Sequence, residues 1–89
     1  MKLTKSEVGP IEVWLTQRNM EVVCLLVRED ESAYHPSVDS LSMRGAQREI
    51  TGWLVDQGYE PVGRWEYAPD TFNGECSRHF KPGEGAQFV

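Results

Sequence analysis

The sequence lacks any apolar run close to the ~20 residues that a membrane-spanning helix requires. Its first ten residues, MKLTKSEVGP, include two lysines but no apolar segment of the kind found in secretion signals. We therefore expect a cytoplasmic protein that has no membrane partner. The 89 residues are predicted to form a single domain over 1–89. Its ordered core is predicted at about 10–82, between a frayed N-terminus at 1–9 and a Gly-rich tail at 83–89.

Cysteine is also scarce, because Cys24 and Cys76 are the only two in the chain. Small secreted scaffolds that depend on disulfides carry many more cysteines, so two reduced and buried thiols are the favoured interpretation. Neither these cysteines nor His35 and His79 have the C-x₂₋₄-C or H-x₃₋₅-H spacing of a zinc site. The sequence thus predicts neither a metal nor another cofactor.

Basic charge is in deficit, with 9 basic against 14 acidic residues and a net charge of −5. An acidic field disfavours nucleic-acid phosphates as partners, although it leaves room for a local basic patch. The glycines form neither a G-x-G-x-x-G pattern nor a P-loop. Nucleophilic catalysis needs a base beside the nucleophile, and strand alternation places Cys76 and His79 on opposite faces. The sequence therefore favours a protein that is not an enzyme.

Two strands are predicted in the first third of the chain. Residues 11–17 alternate between apolar and polar or aromatic side chains, which is typical of a strand with one buried face. Arg18 and Asn19 form a plausible hairpin turn, since asparagine tolerates a positive φ. The following run at 22–27 is almost continuously apolar, as in a strand that is covered on both faces. Residues 30–40 are predicted to form a polar loop.

A helix is predicted after this loop. Ser40 or Ser42 can cap its N-terminus, and Gly58 lies where a left-handed residue ends a helix. Its apolar stripe consists of Met43, Ala46, Ile50, Trp53 and Leu54. The predicted helix is therefore amphipathic and packs one side against a sheet.

The last two strands are predicted at 59–67 and 75–81, in a register that places Arg64 opposite His79. The order β-β-α-β-β predicts an α+β fold, an antiparallel sheet of about four strands with one amphipathic helix packed on one face. The residues predicted to be largely buried in its core are Val22, Leu26, Ile50, Leu54, Val62 and Phe80.

The helix and the second hairpin also carry a resemblance. The helix ends in GYEPV at 58–62, and the last strand finishes with FKP at 80–82. Over about residues 41–82 this resembles small bacterial domains of unknown function, of an actinobacterial type, although Tyr59 stands where that family has tryptophan. The resemblance implies a compact βαββ core and carries no known activity.

Two surfaces are candidates for function. The leading hypothesis is a non-catalytic protein-interaction or homodimerising module, because Trp14 falls on the face opposite the apolar residues of its strand and tryptophan is enriched at interface hot spots. Its candidate surface consists of Trp14, Thr16, Tyr34 and His35. The competing interpretation of Trp14 is that Phe88 and Val89 of the same chain cover it.

The alternative is a single-stranded nucleic-acid-binding or regulatory module that uses the aromatic and arginine residues of the C-terminal hairpin. Its candidate surface consists of Arg44, Arg48, Arg64, Trp65, Arg78 and Lys81. Trp65 and Arg78 are also predicted to face each other, and a cross-strand cation–π pair would account for them without a ligand.

Overall fold

Five strands and one helix make up the computed structural model, which describes residues 9–68 and 74–83. The elements are β1 (Ile11–Arg18), β2 (Glu21–Arg28), β3 (Ala33–Tyr34), α1 (Met43–Asp56), β4 (Tyr59–Tyr67) and β5 (Glu75–Pro82). Apart from Gly9 and Gly83, the two predicted tails lie outside the described residues. Within the described ranges, no helix is long and apolar enough to cross a membrane.

The strands form one antiparallel sheet in the order β3-β2-β1-β5-β4. The predicted α+β class is confirmed, but the prediction of about four strands is wrong, because β3 lies inside the predicted loop 30–40. β3 pairs only Ala33 and Tyr34 with β2. Two residues are too few for an alternation pattern to be read from a sequence.

β1 is the central strand, and its alternation separates the two faces of the sheet. On the inner face, which carries the core, Ile11, Val13 and Leu15 are buried. The neighbouring strands add Val22, Cys24 and Leu26 from β2, and Cys76 and Phe80 from β5. The predicted strand of residues 11–17 is therefore confirmed, and it lies where both of its edges are paired.

The helix α1 covers the inner face. Its first turn is capped as predicted, since Ser42 Oγ accepts a hydrogen bond from Gly45 N at 3.1 Å. Gly58 follows the helix with a φ of +95°, which is the left-handed conformation that ends it. Ala46, Ile50 and Leu54 are buried against the sheet. The rest of the predicted stripe lies at the margin, with Met43 partly buried and Trp53 40% exposed.

The β4–β5 hairpin contains an irregularity that the sequence did not predict. Glu66 and Tyr67 pair with Ser77 and Cys76 in the predicted register, but Val62 rather than Arg64 lies opposite His79. Residues 63–65 thus lie opposite one residue of β5, as in a β-bulge. Gly63 has a φ of +66°, a conformation that glycine adopts readily.

One residue of the predicted core is exposed. Val62 lies on the outer face of β4, at the edge of the sheet, and is 45% exposed. Its predicted burial is therefore wrong. The other predicted core residues, Val22, Leu26, Ile50, Leu54 and Phe80, are buried.

Candidate interaction surfaces

The outer face of the sheet, opposite α1, carries most of the predicted interaction surface. Its cross-strand rows are Val27–Glu12–His79–Val62, Leu25–Trp14–Ser77–Glu66 and Val23–Thr16–Glu75. The β2 side of these rows is apolar, and we call Val23, Leu25 and Val27 the β2 stripe. The β5 side is polar and mainly acidic. Trp14 lies in the middle row, between the two sides.

Trp14 is half-buried on this face and is held by its neighbours. Its indole N–H donates a hydrogen bond to the Glu12 carboxylate. The other oxygen of Glu12 lies 2.9 Å from Nε2 of His79, whose side chain is 64% exposed. Glu12 therefore connects the tryptophan to the adjacent strand and fixes the indole on the outer face.

The remaining residues of the predicted surface divide between the two faces. Thr16 donates a hydrogen bond to Glu75 at 3.1 Å on the outer face. His35 lies beside the edge of β2, where its Nδ1 is 3.2 Å from the carbonyl oxygen of Cys24. Because a carbonyl oxygen only accepts, Nδ1 carries the hydrogen and leaves Nε2 available at the surface.

An open depression of about 400 Å³ brings three of the four predicted residues together. Trp14, Thr16 and His35 line it with Val23, Leu25 and Glu75. Tyr34 lies elsewhere, because it pairs with Leu26 and therefore belongs to the inner face. Sequence reasoning missed Val23 and Leu25 as surface residues, although the apolar run at 22–27 contained the signal.

The six residues of the alternative nucleic-acid surface do not form one continuous face. Trp65 and Arg78 lie on the inner side, where both contact Phe80. The Trp65 and Phe80 rings are arranged edge to face with their centroids 6.4 Å apart, and Arg78 Cζ lies 5.9 Å from the Phe80 centroid. The predicted pair of Trp65 with Arg78 is thus replaced by two contacts to a third residue. Lys81 lies across from Glu60, with its amine 4.0 Å from that carboxylate.

The other three arginines are separate from these positions. Arg44 and Arg48 lie exposed on α1, and Arg64 lies exposed in the bulge of β4. Bases that stack on a sheet need aromatic faces and cations on the same surface. The nucleic-acid alternative stays a prediction.

The two cysteines are buried in the core and free. Both lie next to Leu15, Cys24 on β2 and Cys76 on β5, so two strand spacings of about 5 Å each separate their backbones. That separation exceeds the ~7 Å limit for Cα atoms joined by a disulfide. Within residues 9–68 and 74–83, no group of three or more His, Cys, Asp or Glu side chains is placed to hold a metal ion.

Burial suppresses the reactivity of both thiols. It raises the pKa of Cys24 to about 12, and it raises the pKa of Cys76 despite an opposing hydrogen bond from Gln47 at 3.3 Å. Because only the thiolate is a nucleophile, we expect neither cysteine to react with a disulfide reagent in the native protein near neutral pH. Both should react at once in strong denaturant. Rapid titration of one thiol without denaturant would contradict this placement.

These features define a class of protein, a two-layer α+β domain in which one helix covers one face of a five-stranded antiparallel sheet. Comparison with protein-family models, curated proteins and solved structures finds no match. The resemblance of residues 41–82 to small bacterial domains of unknown function therefore stays a prediction.

Proposed function

We propose that the protein is a non-catalytic interaction module that pairs with a second copy of itself through the outer face of its sheet. The observation that carries this proposal is that β2 is apolar on both faces. Val22, Cys24 and Leu26 are buried in the core, whereas the β2 stripe has no helix or second sheet over it among the described residues. An antiparallel sheet with one solvated face normally shows polar residues on that face.

A second copy fits this face because the face is complementary to itself. The β2 stripe and Trp14 supply an apolar half, and the polar half is mainly acidic, with His79 beside Glu12. In a two-fold dimer the same patch meets itself, so the apolar half can pack against its own copy. Two such sheets would pack face to face, ~10 Å apart.

The size of the face limits the surface area that a dimer can bury. The four long strands, of eight or nine residues, are about 26 Å long and together occupy about 19 Å across the sheet, which gives roughly 500 Å² for each copy. A dimer would then bury about 1,000 Å² in total, which is the size of weak or transient interfaces. We therefore expect a weak dimer that dissociates on dilution.

Sedimentation velocity over a concentration series tests this proposal with a matched pair of variants. Val23→Thr replaces a methyl group of the β2 stripe by a hydroxyl without changing the shape of the side chain. Val55→Thr makes the same change on the exposed surface of α1, where Val55 is 50% exposed. We expect the parent and Val55→Thr to dimerise alike, and Val23→Thr to weaken the dimer about tenfold or more.

The Trp14→Ala variant tests whether Trp14 is an interface residue or a core residue. As an anchor, Trp14 should contribute to self-association, and its loss should abolish the dimer while the melting temperature stays nearly unchanged. A parent protein that sediments as a monomer at every concentration, together with a Trp14→Ala variant destabilised by several kcal/mol, would contradict the proposal. That pattern would mean that the same chain covers Trp14.

A further inference from the structure

A second surface lies on the helix side of the sheet, away from Trp14. A groove runs between α1 and the segment that contains β3, and Tyr34 and Trp53 form its waist. On one side of the waist is a chamber of about 270 Å³, and on the other is a chamber of about 200 Å³. Both aromatic residues line both chambers, and they are 48% and 40% exposed. The two chambers therefore adjoin at these two rings.

The larger chamber combines an apolar body with a few polar groups. Leu54 and the buried Tyr59 form part of its wall, together with the waist residues. Gln57 and Arg28 add an amide and a guanidinium. Ligand sites typically have a mostly apolar lining, a few polar groups and a volume of roughly 300–1,000 Å³. The larger chamber, at about 270 Å³, is close to the lower end of that range.

Arg28 supplies the positive charge of the chamber. It lies on the inner face, opposite Ile11, at the end of β2. Arg28 and Tyr59 line the same chamber, where burial raises the pKa of the Tyr59 phenol and the charge of Arg28 opposes that rise. Among the described residues, no carboxylate lies within ion-pair distance of Arg28. Its charge is thus available to a ligand.

Two acidic groups near the groove accept hydrogen bonds, and the pKa of one of them, Asp30, is lowered by its bonds to Ser32 and also by the charge of Arg28. Asp30 accepts hydrogen bonds from N and Oγ of Ser32, at 2.9 and 2.6 Å. Glu49, at the far end of the smaller chamber, accepts from the backbone N–H groups of Asp39 and Ser40, at 2.8 and 3.0 Å. The groove therefore offers an aromatic waist with an unpaired cation at one end.

We propose that this groove binds a small monocarboxylate with an aromatic or branched apolar body, which lies between Tyr34 and Trp53 while its carboxylate contacts Arg28. The planar guanidinium matches a carboxylate with two parallel hydrogen bonds. The two aromatic rings supply apolar area on both sides of the ligand. This site is separate from the outer face, so it is independent of self-association.

Indole-3-propionate is a suitable probe, and its amide, indole-3-propionamide, is a neutral control of the same shape. Titration is followed by the indole N–H signal of Trp53 in nitrogen–proton correlation spectra. We expect saturable binding of the acid with a dissociation constant of about 1 mM or tighter, the range of modest ligand efficiency for a molecule of this size. The amide should bind about tenfold more weakly or worse.

Two variants test the residues that carry the proposal. Arg28→Gln should reduce affinity for the acid to that for the amide, whereas Arg44→Gln, which removes the same charge from an exposed position on α1, should change neither. Tyr34→Ala should weaken both ligands, and its melting temperature shows whether it is folded. Lack of saturation by about 10 mM acid, equal binding of acid and amide, or unchanged binding in Arg28→Gln would overturn the proposal.

Discussion

Phe80→Ala is expected to lower the free energy of unfolding by about 3–5 kcal/mol. Phe80 is fully buried on the inner face of β5, where it lies beside Ile11 and Pro61 in one cross-strand row. The ring also contacts Trp65 edge-on and lies under the Arg78 guanidinium. Truncation would leave a cavity and remove both contacts. Urea denaturation, followed by circular dichroism, measures the loss.

The expected loss is large relative to the whole stability of the protein. A domain of 89 residues has a free energy of unfolding of roughly 4–13 kcal/mol, so Phe80→Ala can leave a substantial unfolded fraction in the absence of denaturant. Tyr67→Ala is the control, because Tyr67 lies on the same sheet but is 59% exposed. The control should lose less than about 1 kcal/mol. Similar losses in the two variants would contradict the placement of Phe80 at the centre of the core.

Local signals made much of the architecture predictable. The hydroxyl of Ser42 and the left-handed Gly58 define the ends of α1 through contacts within a few residues. The alternation in β1 is equally readable, because one face of that strand is covered by the core and the other is not. In each case the residues that determine the structure are close together in the sequence.

The errors arose where pairing partners decide the structure. Ala33 and Tyr34 form a strand only because the edge of β2 is next to them. Gly63 permits the bulge in β4. The alternation of side chains along β4 is the same with or without a glycine at that position, so it gives no sign of the bulge. Val62 lies opposite His79 on the outer face, whereas hydrophobicity alone predicted a buried valine.

The candidate interaction surface was only partly predictable for a related reason. The position of Trp14 on the outer face follows from alternation, whereas the separation of Tyr34 from His35 depends on β3, which ends at Tyr34. The apolar run of β2 indicated coverage on both faces. Whether a second layer comes from the same chain or from another molecule is a property of the assembly, which one sequence does not specify.

Ile50→Ala is expected to destabilise the protein by about 2–5 kcal/mol. Ile50 lies at the centre of α1, is 2% exposed and belongs to the core cluster between Ala46 and Leu54. Alanine is a better helix former than isoleucine, so the loss reflects packing and the cavity that the missing atoms leave. For a domain of this size it corresponds to a decrease of at least about 8 °C in the melting temperature.

Val62→Ala provides the matched comparison, because it also truncates a β-branched aliphatic side chain. Val62 is 45% exposed on the edge strand, so its replacement should cost less than about 1 kcal/mol, mostly through a lower strand propensity. Both free energies are obtained from the same urea titrations as for the parent. If Val62→Ala were the more destabilising of the two, the placement of Val62 on the outer face would be wrong. If Ile50→Ala melted within a degree or two of the parent, the helix would pack on the sheet through a different stripe. A truncation at the centre of the contact leaves a cavity in the core and therefore has to lower the melting temperature.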